Sequence, residues 1–380
     1  MRDVSRIGID ARELARGART GIGRFLREVL RAGGSLDECE FVLYGNGTTW
    51  IEPTGSNVQV RVVGGKWTQW WDQVSLPRQL ARDRVAVFLS PYYKCPILAP
   101  CPVVLTIHDL FFIHYPGQRR PFHDIAMTAL ARLYASRATT IIADSEYSKR
   151  SIVDRLGVNP AKVTVIPVAL GPEFKPAPLT DAVRHRYGIP APYILYVGNF
   201  KPHKNLPRLL RAYAGLPDPL RATYQLVLAG GDRNHQPGLE DLARSLEVAD
   251  RILFPGLIAD SDLPALYSGS ALFILPSLDE GFGLPALEAM ACGAPVVASD
   301  RAALPEVVGA AALLVDPEDE AAITKAIART LTADDIREDL RRRGLDRARE
   351  FSPDRTAGRI LELLREVGKP TMSAKAKVAR

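Results

Sequence analysis

The chain alternates short apolar runs with stretches whose apolar positions recur at helical spacing. In the first half the runs are RIGID, CEFVLYG, VAVFLS, PVVLTIHD, ATTIIADS and VTVIPVAL. In the second half they are YILYVGN, YQLVLAGG, RILFPGLI, ALFILPS, PVVASD and AALLVD. Continuous β-branched runs, separated by helical stretches such as GRFLREVLRAG, predict buried parallel strands in βαβ units. Two such series predict an α/β protein with two doubly wound parallel-sheet domains. A length of 380 residues agrees with this, at roughly 100–200 residues per domain.

The stretch LGPEFKPAPLTDAVRHRYGIPAPY holds Pro172, Pro176, Pro178, Pro190 and Pro192, which resist regular structure and stiffen a connection. The expected division is therefore a first domain over 1–176, a linker over 177–192 and a second domain from 193 to 350. The tail KPTMSAKAKVAR, 369–380, is basic and poor in apolar residues, and is expected to be disordered.

Composition narrows the class. Apolar residues make up 47% and charged residues 24%, as in a soluble globular protein. No run of 18 uncharged apolar residues suggests a membrane span. The charged start MRDVSRIGIDARELARG lacks the apolar centre of a signal peptide, so a cytoplasmic protein is expected. Cys39, Cys95, Cys101 and Cys292 form no C-x-x-C pair and have no histidine at zinc spacing; they read as reduced, structural thiols. The net charge is uneven. Residues 1–175 carry 23 Lys+Arg against 16 Asp+Glu, or +7, and the remainder 26 against 27, or −1. The basic half suits an anionic partner, either a phosphorylated acceptor or an anionic membrane surface, or it is only a solvated arginine-rich face. Nucleic acid is disfavoured, since no recognition module accompanies the charge. KWTQWWDQ, with Trp67, Trp70 and Trp71, reads as an exposed cluster suited to peripheral membrane contact; the alternatives are core packing or stacking on a sugar.

In open α/β sheets ligands sit beyond the carboxyl ends of the strands. His108 follows PVVLTI there, Asn199 to Lys204 follow YILYVG, and Glu280 follows ALFILPS. The last corner, LPSLDEGFGLPALEAMACG, is the most informative. EGFG forms a tight turn between a strand and a helix closed by Gly293. Its glycines let a ligand approach the backbone, and the helix start offers free N–H donors to an anion. Glu288, about one turn into the helix, can accept two hydrogen bonds from a ribose diol. Glu280, before the turn, can bind sugar hydroxyls or face positive charge at an anomeric carbon. The plain alternative is that Glu280 caps the helix and Glu288 is solvated. Near the N-terminus, Gly21 and Gly23 are read as a loop between the first strand and its helix. Leu26 stands where a dinucleotide fingerprint wants a third glycine, which argues against an NAD-dependent oxidoreductase. Arg24 either touches phosphate or faces solvent.

The segment PSLDEGFGLPALEAMACGAPVVASD resembles the donor-site segment, with its E-x7-E signature, of retaining glycosyltransferases of family 4. TGIGRF, TIHDL, YVGNFKPHKNL, LPEVVGAAALLVDP and REFSPDRTA are similar to other segments of that family, in the expected order over nearly all of residues 5–365. The resemblance implies the GT-B fold: two Rossmann-like domains, the nucleotide sugar in the cleft and held mostly by the second, with a C-terminal helix, here 351–368, crossing back to the first. It implies that Glu280 contacts the donor sugar and Glu288 the ribose. Gly281, Phe282, Gly283 and Leu284 would supply the turn and its N–H groups, and Lys204 would bind the β-phosphate. His108 would contact the sugar, Gly21 and Gly23 would approach the diphosphate or acceptor, and Ile258 and Asp260 would lie in the loop that reads the base. Glu280, His108 and Lys204 are thus the implied catalytic group. Many members carry an arginine where this chain has Asn199; Lys201, His203 or backbone amides would have to compensate. No metal or other cofactor is expected, since the fold usually needs none and no D-x-D follows a strand. The implied reaction moves a hexose with retention, either by same-face departure, the leaving phosphate taking the acceptor's proton, or through a covalent intermediate on Glu280. The motifs look most like mannosyl- or rhamnosyltransferases of bacterial surface-polysaccharide assembly. GDP-mannose is the first expected donor and dTDP-rhamnose the second, with a UDP-glucose donor also open; the acceptor would be a saccharide or a lipid-linked one at the inner membrane. A non-catalytic sugar-nucleotide sensor would keep Glu288 and Lys204 and lack turnover.

Overall fold

The computed structural model describes residues 5–14, 21–33, 39–50, 55–65, 67–111, 113, 121–189, 192–231 and 234–369. The chain divides into two compact units. One comprises Met1–His114, Arg120–Ala169 and Pro353–Arg380, the other Tyr115–Arg119 and Leu170–Ser352.

The first unit holds seven parallel strands: β1 (Ser5–Asp10), β2 (Cys39–Gly45), β3 (Val58–Val62), β4 (Val87–Ser90), β5 (Val103–Ile107), β6 (Thr140–Ala143) and β7 (Val163–Val165). Their order is β3-β2-β1-β4-β5-β6-β7. Because side chains alternate along a strand, β2 sends Phe41 and Leu43 to one face and Val42 and Tyr44 to the other, and both faces are buried. On the first face lie the helix Gly21–Gly33 and the C-terminal helix Pro353–Gly368, which buries Ile360, Leu361 and Leu364 there. On the other, the helix Pro121–Arg137 contributes Ala131, Tyr134 and Ala135.

The second unit holds six parallel strands: β8 (Tyr193–Gly198), β9 (Gln225–Gly230), β10 (Ile252–Gly256), β11 (Leu272–Leu275), β12 (Val296–Ser299) and β13 (Leu313–Val315). Their order is β10-β9-β8-β11-β12-β13. Each sheet reverses its winding once, at β1/β4 and at β8/β11. These reversals leave crevices at the strand ends, the sites where such sheets hold ligands.

Three expectations need correction, and one strand is additional. Gly21 and Gly23 are not in a loop: the helix already begins at Gly21, and Gly23 is buried in its first turn. The stretch 177–192 is not irregular throughout. Asp181–Tyr187 forms a helix because Thr180 caps it, its Oγ1 accepting the Val183 N–H, and Gly188 closes it in the left-handed conformation. Trp71 is buried, its indole N–H donating to the Val63 carbonyl at 3.0 Å, whereas Trp67 and Trp70 are exposed and meet edge to face. The edge strand β3 was not foreseen. The tail from 370 onward and the Arg24 side chain lie outside the described residues. The four cysteines are unbridged, and burial pushes the thiols of Cys95, Cys101 and Cys292 up to about 12.

Candidate active site

In the second unit the reversal at β8/β11 brings together two segments 76 residues apart. β8 ends at Gly198 and leads into Asn199–Asn205. β11 ends at Leu275 and leads into the turn before the helix Leu284–Ala291. Lys204 Nζ lies 2.6 Å from Glu280 Oε1, and both side chains are buried. The Ser277 hydroxyl donates to the same carboxylate oxygen at 2.7 Å. A buried ammonium demands such a partner, because desolvation without one is prohibitive.

The loop carrying Lys204 is fastened at several points. Asn205 takes the left-handed conformation, which asparagine tolerates, and its Nδ2 donates to the carbonyls of Pro276 and Pro317. The Leu278 N–H donates to the His203 carbonyl at 2.7 Å, and the Tyr196 hydroxyl to the Asn199 carbonyl at 2.6 Å. Asn199 uses its side chain to accept the Lys201 N–H, so it brings no second cation. Nor does His203 near neutral pH. Burial, then the Lys204 charge, push its imidazole down to about 4.

The turn itself ends at Gly283, whose φ of 95° only glycine adopts readily. No side chain caps the helix that follows, so Glu280 is not a helix cap. Leu284 opens that helix, and Pro285 fills a first-turn position where no N–H is missed. The start therefore keeps donors and partial positive charge for an anion. Glu288 is buried one turn in and accepts the Tyr267 hydroxyl at 2.8 Å, so the two glutamates are held by different partners. Ile258 is buried in the loop after β10, where Ala259 donates its N–H to the Tyr187 hydroxyl; Asp260 follows, partly exposed.

In the first unit His108 stands at the end of β5. Its Nδ1 lies 2.7 Å from Asp144 Oδ2. A carboxylate only accepts, so Nδ1 carries the proton. The ring meets Phe25 edge to face at 5.6 Å. Burial opposes a charge on the imidazole, but Asp144, together with Asp109 and the Pro91 carbonyl, outweighs it and holds the group above its ordinary value of 6.5. A raised folded value means a stabilisation fully present below the unfolded value and lost as pH rises through the folded one. The stability gap between the wild type and His108→Gln is thus expected to narrow as pH rises above the ordinary imidazole value of 6.5, read from melting midpoints. A gap independent of pH would rule out this proton linkage.

At the β1/β4 reversal of the same unit lies a charged cluster that the sequence did not reveal. Arg12 pairs with buried Asp10 at 2.5 Å and Asp72 at 2.7 Å, and its guanidinium stacks 3.8 Å from the Trp71 ring centre. Lys94 reaches Asp72 at 3.3 Å. This packing explains why Trp71 is inside.

Two doubly wound units of parallel strands, with a cation, two carboxylates and an uncapped helix start gathered at the winding reversal of one of them, define the GT-B class of glycosyltransferase. Sucrose-phosphate synthase from Thermosynechococcus elongatus has the same fold, with a TM-score of 0.78 and 21% identity over 96% of this chain and 99% of that one. The family profile Glycosyltransferase Family 4 matches residues 20–173, and Glycosyl transferases group 1 matches 182–347. The chain belongs to the family 4 glycosyltransferases. It is 35% identical over 257 residues to the Escherichia coli O-antigen chain mannosyltransferase B, covering 66% of each chain. It is 33% identical over 278 residues to the serotype-specific mannosyltransferase WbdA of Escherichia coli, covering 69% of this chain and 33% of that one. The matched region thus spans just under two thirds of the first relative and a third of the second.

Proposed function

We propose that the protein transfers a hexose, mannose from GDP-mannose as the first choice, from a nucleoside diphosphate to a saccharide or lipid-linked acceptor in surface-glycan assembly, with retention of configuration. The observation that carries this is the buried Lys204–Glu280 pair beside an uncapped helix start. As the sugar departs, negative charge builds on the diphosphate. Lys204 and the N–H groups at Gly283 and Leu284 are preorganised donors for it, the arrangement that lowers a barrier electrostatically. With Asn199 in place of a cation and His203 uncharged, those backbone donors carry more of the load. Glu288, oriented by Tyr267, suits a ribose diol, and Ile258 and Asp260 suit the base. Glu280 loses part of its ion pair when Lys204 turns to phosphate and is then free to face a cationic anomeric centre. His108, its Nδ1–H held by Asp144, is a sugar-binding group of the first unit in its own right, its Nε2 accepting from a hydroxyl when the ring is neutral and donating when it is protonated. The donor preference for mannose leans on the named relatives.

A melting panel with GDP, UDP, ADP and dTDP and their sugars tests the reading. The true nucleotide at about 100 times its Kd should stabilise by about 2.7 kcal/mol. Lys204→Met should abolish that shift. Stabilisation by none of the four, or an equal shift in the variant, would defeat the assignment.

A further inference from the structure

The loop after β10 leads straight into the helix Leu263–Gly269, and that helix carries Tyr267, whose hydroxyl holds Glu288. One short segment thus supplies both the loop suited to the base and the group that orients the acid suited to the ribose. What fixes the segment lies in a different element, at the last residue of the helix Asp181–Tyr187. The Tyr187 hydroxyl accepts the Ala259 N–H at 3.1 Å and donates to Asp262 Oδ2 at 2.8 Å. Arg186 meets the same carboxylate oxygen at 2.7 Å.

Asp262 gives up an ordinary local bond for this bracket. It stands at the N-cap of Leu263–Gly269, where an aspartate commonly accepts an N–H of the helix it precedes. Its side chain makes no such bond and turns to Tyr187 and Arg186 instead. Burial disfavours its charge, but the hydrogen bonds from Tyr187 and Arg186 outweigh that and hold the carboxyl below its ordinary value of 3.8. An ionised carboxylate only accepts, so the Tyr187 proton points to it and the hydroxyl oxygen keeps a lone pair for the Ala259 N–H. The start of the loop offers a base no polar side chain. Leu257, Ile258 and Ala259 are all apolar, and Ile258 is turned into the core at 7% exposure. Recognition of a purine or pyrimidine there falls to backbone N–H and C=O groups, and such groups discriminate only as well as they are placed.

We propose that Tyr187 is a positioning residue for the nucleoside: its hydroxyl sets the backbone at 257–259 and, through it, the choice among bases. This rests on the sugar-transfer reading and adds to it a residue from the helix that precedes β8.

Calorimetric titration of the full chain with GDP, UDP, ADP and dTDP tests it. The wild type should prefer one of them. Tyr187→Phe keeps the ring and removes the hydroxyl; it should narrow that preference about tenfold, the factor that one hydrogen bond commands. With the matching sugar nucleotide, KM should rise while kcat stays within about twofold, as for a contact equally strong in the ground and transition states. Tyr213→Phe is the control. It removes a hydroxyl from the same unit, one that donates to the Tyr224 carbonyl at 2.7 Å, and should leave the preference untouched. Both variants should keep the wild-type circular dichroism spectrum. Four outcomes overturn the inference and leave the sugar-transfer reading standing: a wild type that binds all four alike, a preference in Tyr187→Phe that survives even a uniform loss of affinity, loss of its folded spectrum, or equal narrowing in Tyr213→Phe. Binding of none of the four by the wild type defeats both.

Discussion

Lys204→Met alone is expected to lower the stability of the second unit by about 3–5 kcal/mol, and Lys204→Met/Glu280→Gln to recover most of it. The reason lies in what each leaves behind. Methionine fills the ammonium's space, but Glu280 then sits buried with only the Ser277 hydroxyl on the oxygen that Lys204 held. Removing both charges leaves groups that an interior tolerates. Denaturant titration at neutral pH reads the difference, and a single variant as stable as the double would show that water already reaches the pair. Turnover should behave oppositely. If the proposed reaction is right, the double variant stays inactive, because a donor aimed at developing phosphate charge is worth about 10²–10³ in kcat. Stability and activity thus part company between the single and double variants, which separates the pair's structural role from its chemical one.

Gly230→Ala is expected to cost about 2–5 kcal/mol and to abolish nucleotide-induced stabilisation. Gly230 ends β9 with φ at 117°, in register with Gly198 at the end of β8. A Cβ there would come 2.0 Å from the Gly198 carbonyl oxygen, a backbone atom that cannot rotate away. To relieve the clash β8 must shift just where it delivers the Asn199–Asn205 loop and hence Lys204. Gly157→Ala is the control. Its φ of 67° is also left-handed, but no atom lies within 4 Å of the added Cβ, so only the conformational strain of about 1 kcal/mol is expected. Melting midpoints and the nucleotide shift check both; equal losses in the two variants would discount the contact with Gly198.

These residues also show what a one-dimensional reading can reach. Strands buried on both faces announce themselves as unbroken apolar runs, and residues that follow such runs are site candidates by topology alone; Lys204, Glu280 and His108 were legible in that way. β3, VQVRV, was not, because an edge strand paired to one neighbour and largely exposed needs no apolar run. The start of the helix at Gly21 was missed because glycine argues locally for a loop, and packing overrode it. Asp144 could have been found, since it follows β6 as His108 follows β5. Ser277, three residues before Glu280 in the same turn, was within local reach; Tyr267 and Asn205 were not, since each acts on a group in a different element and only the fold makes those pairs. The Asp10–Arg12–Asp72 cluster hid for the same reason, with Asp72 far along the chain from its partners. The second cation anticipated from His203 fails on electrostatics, since the burial that holds its loop also keeps the ring uncharged.

The first unit is discontinuous in sequence, for it recovers Pro353–Gly368 only after the whole of the second has intervened. That late helix covers part of the sheet that β1 and β4 began, through Ile360, Leu361 and Leu364. During vectorial synthesis β1 and β4 must therefore wait, one face incompletely roofed, until the chain has been made from Ser90 through to Gly368. A gene fragment cut at Ala169 would inherit that open face for good, so dissection of this chain into separately expressed halves has to carry residues 353–368 along with the first.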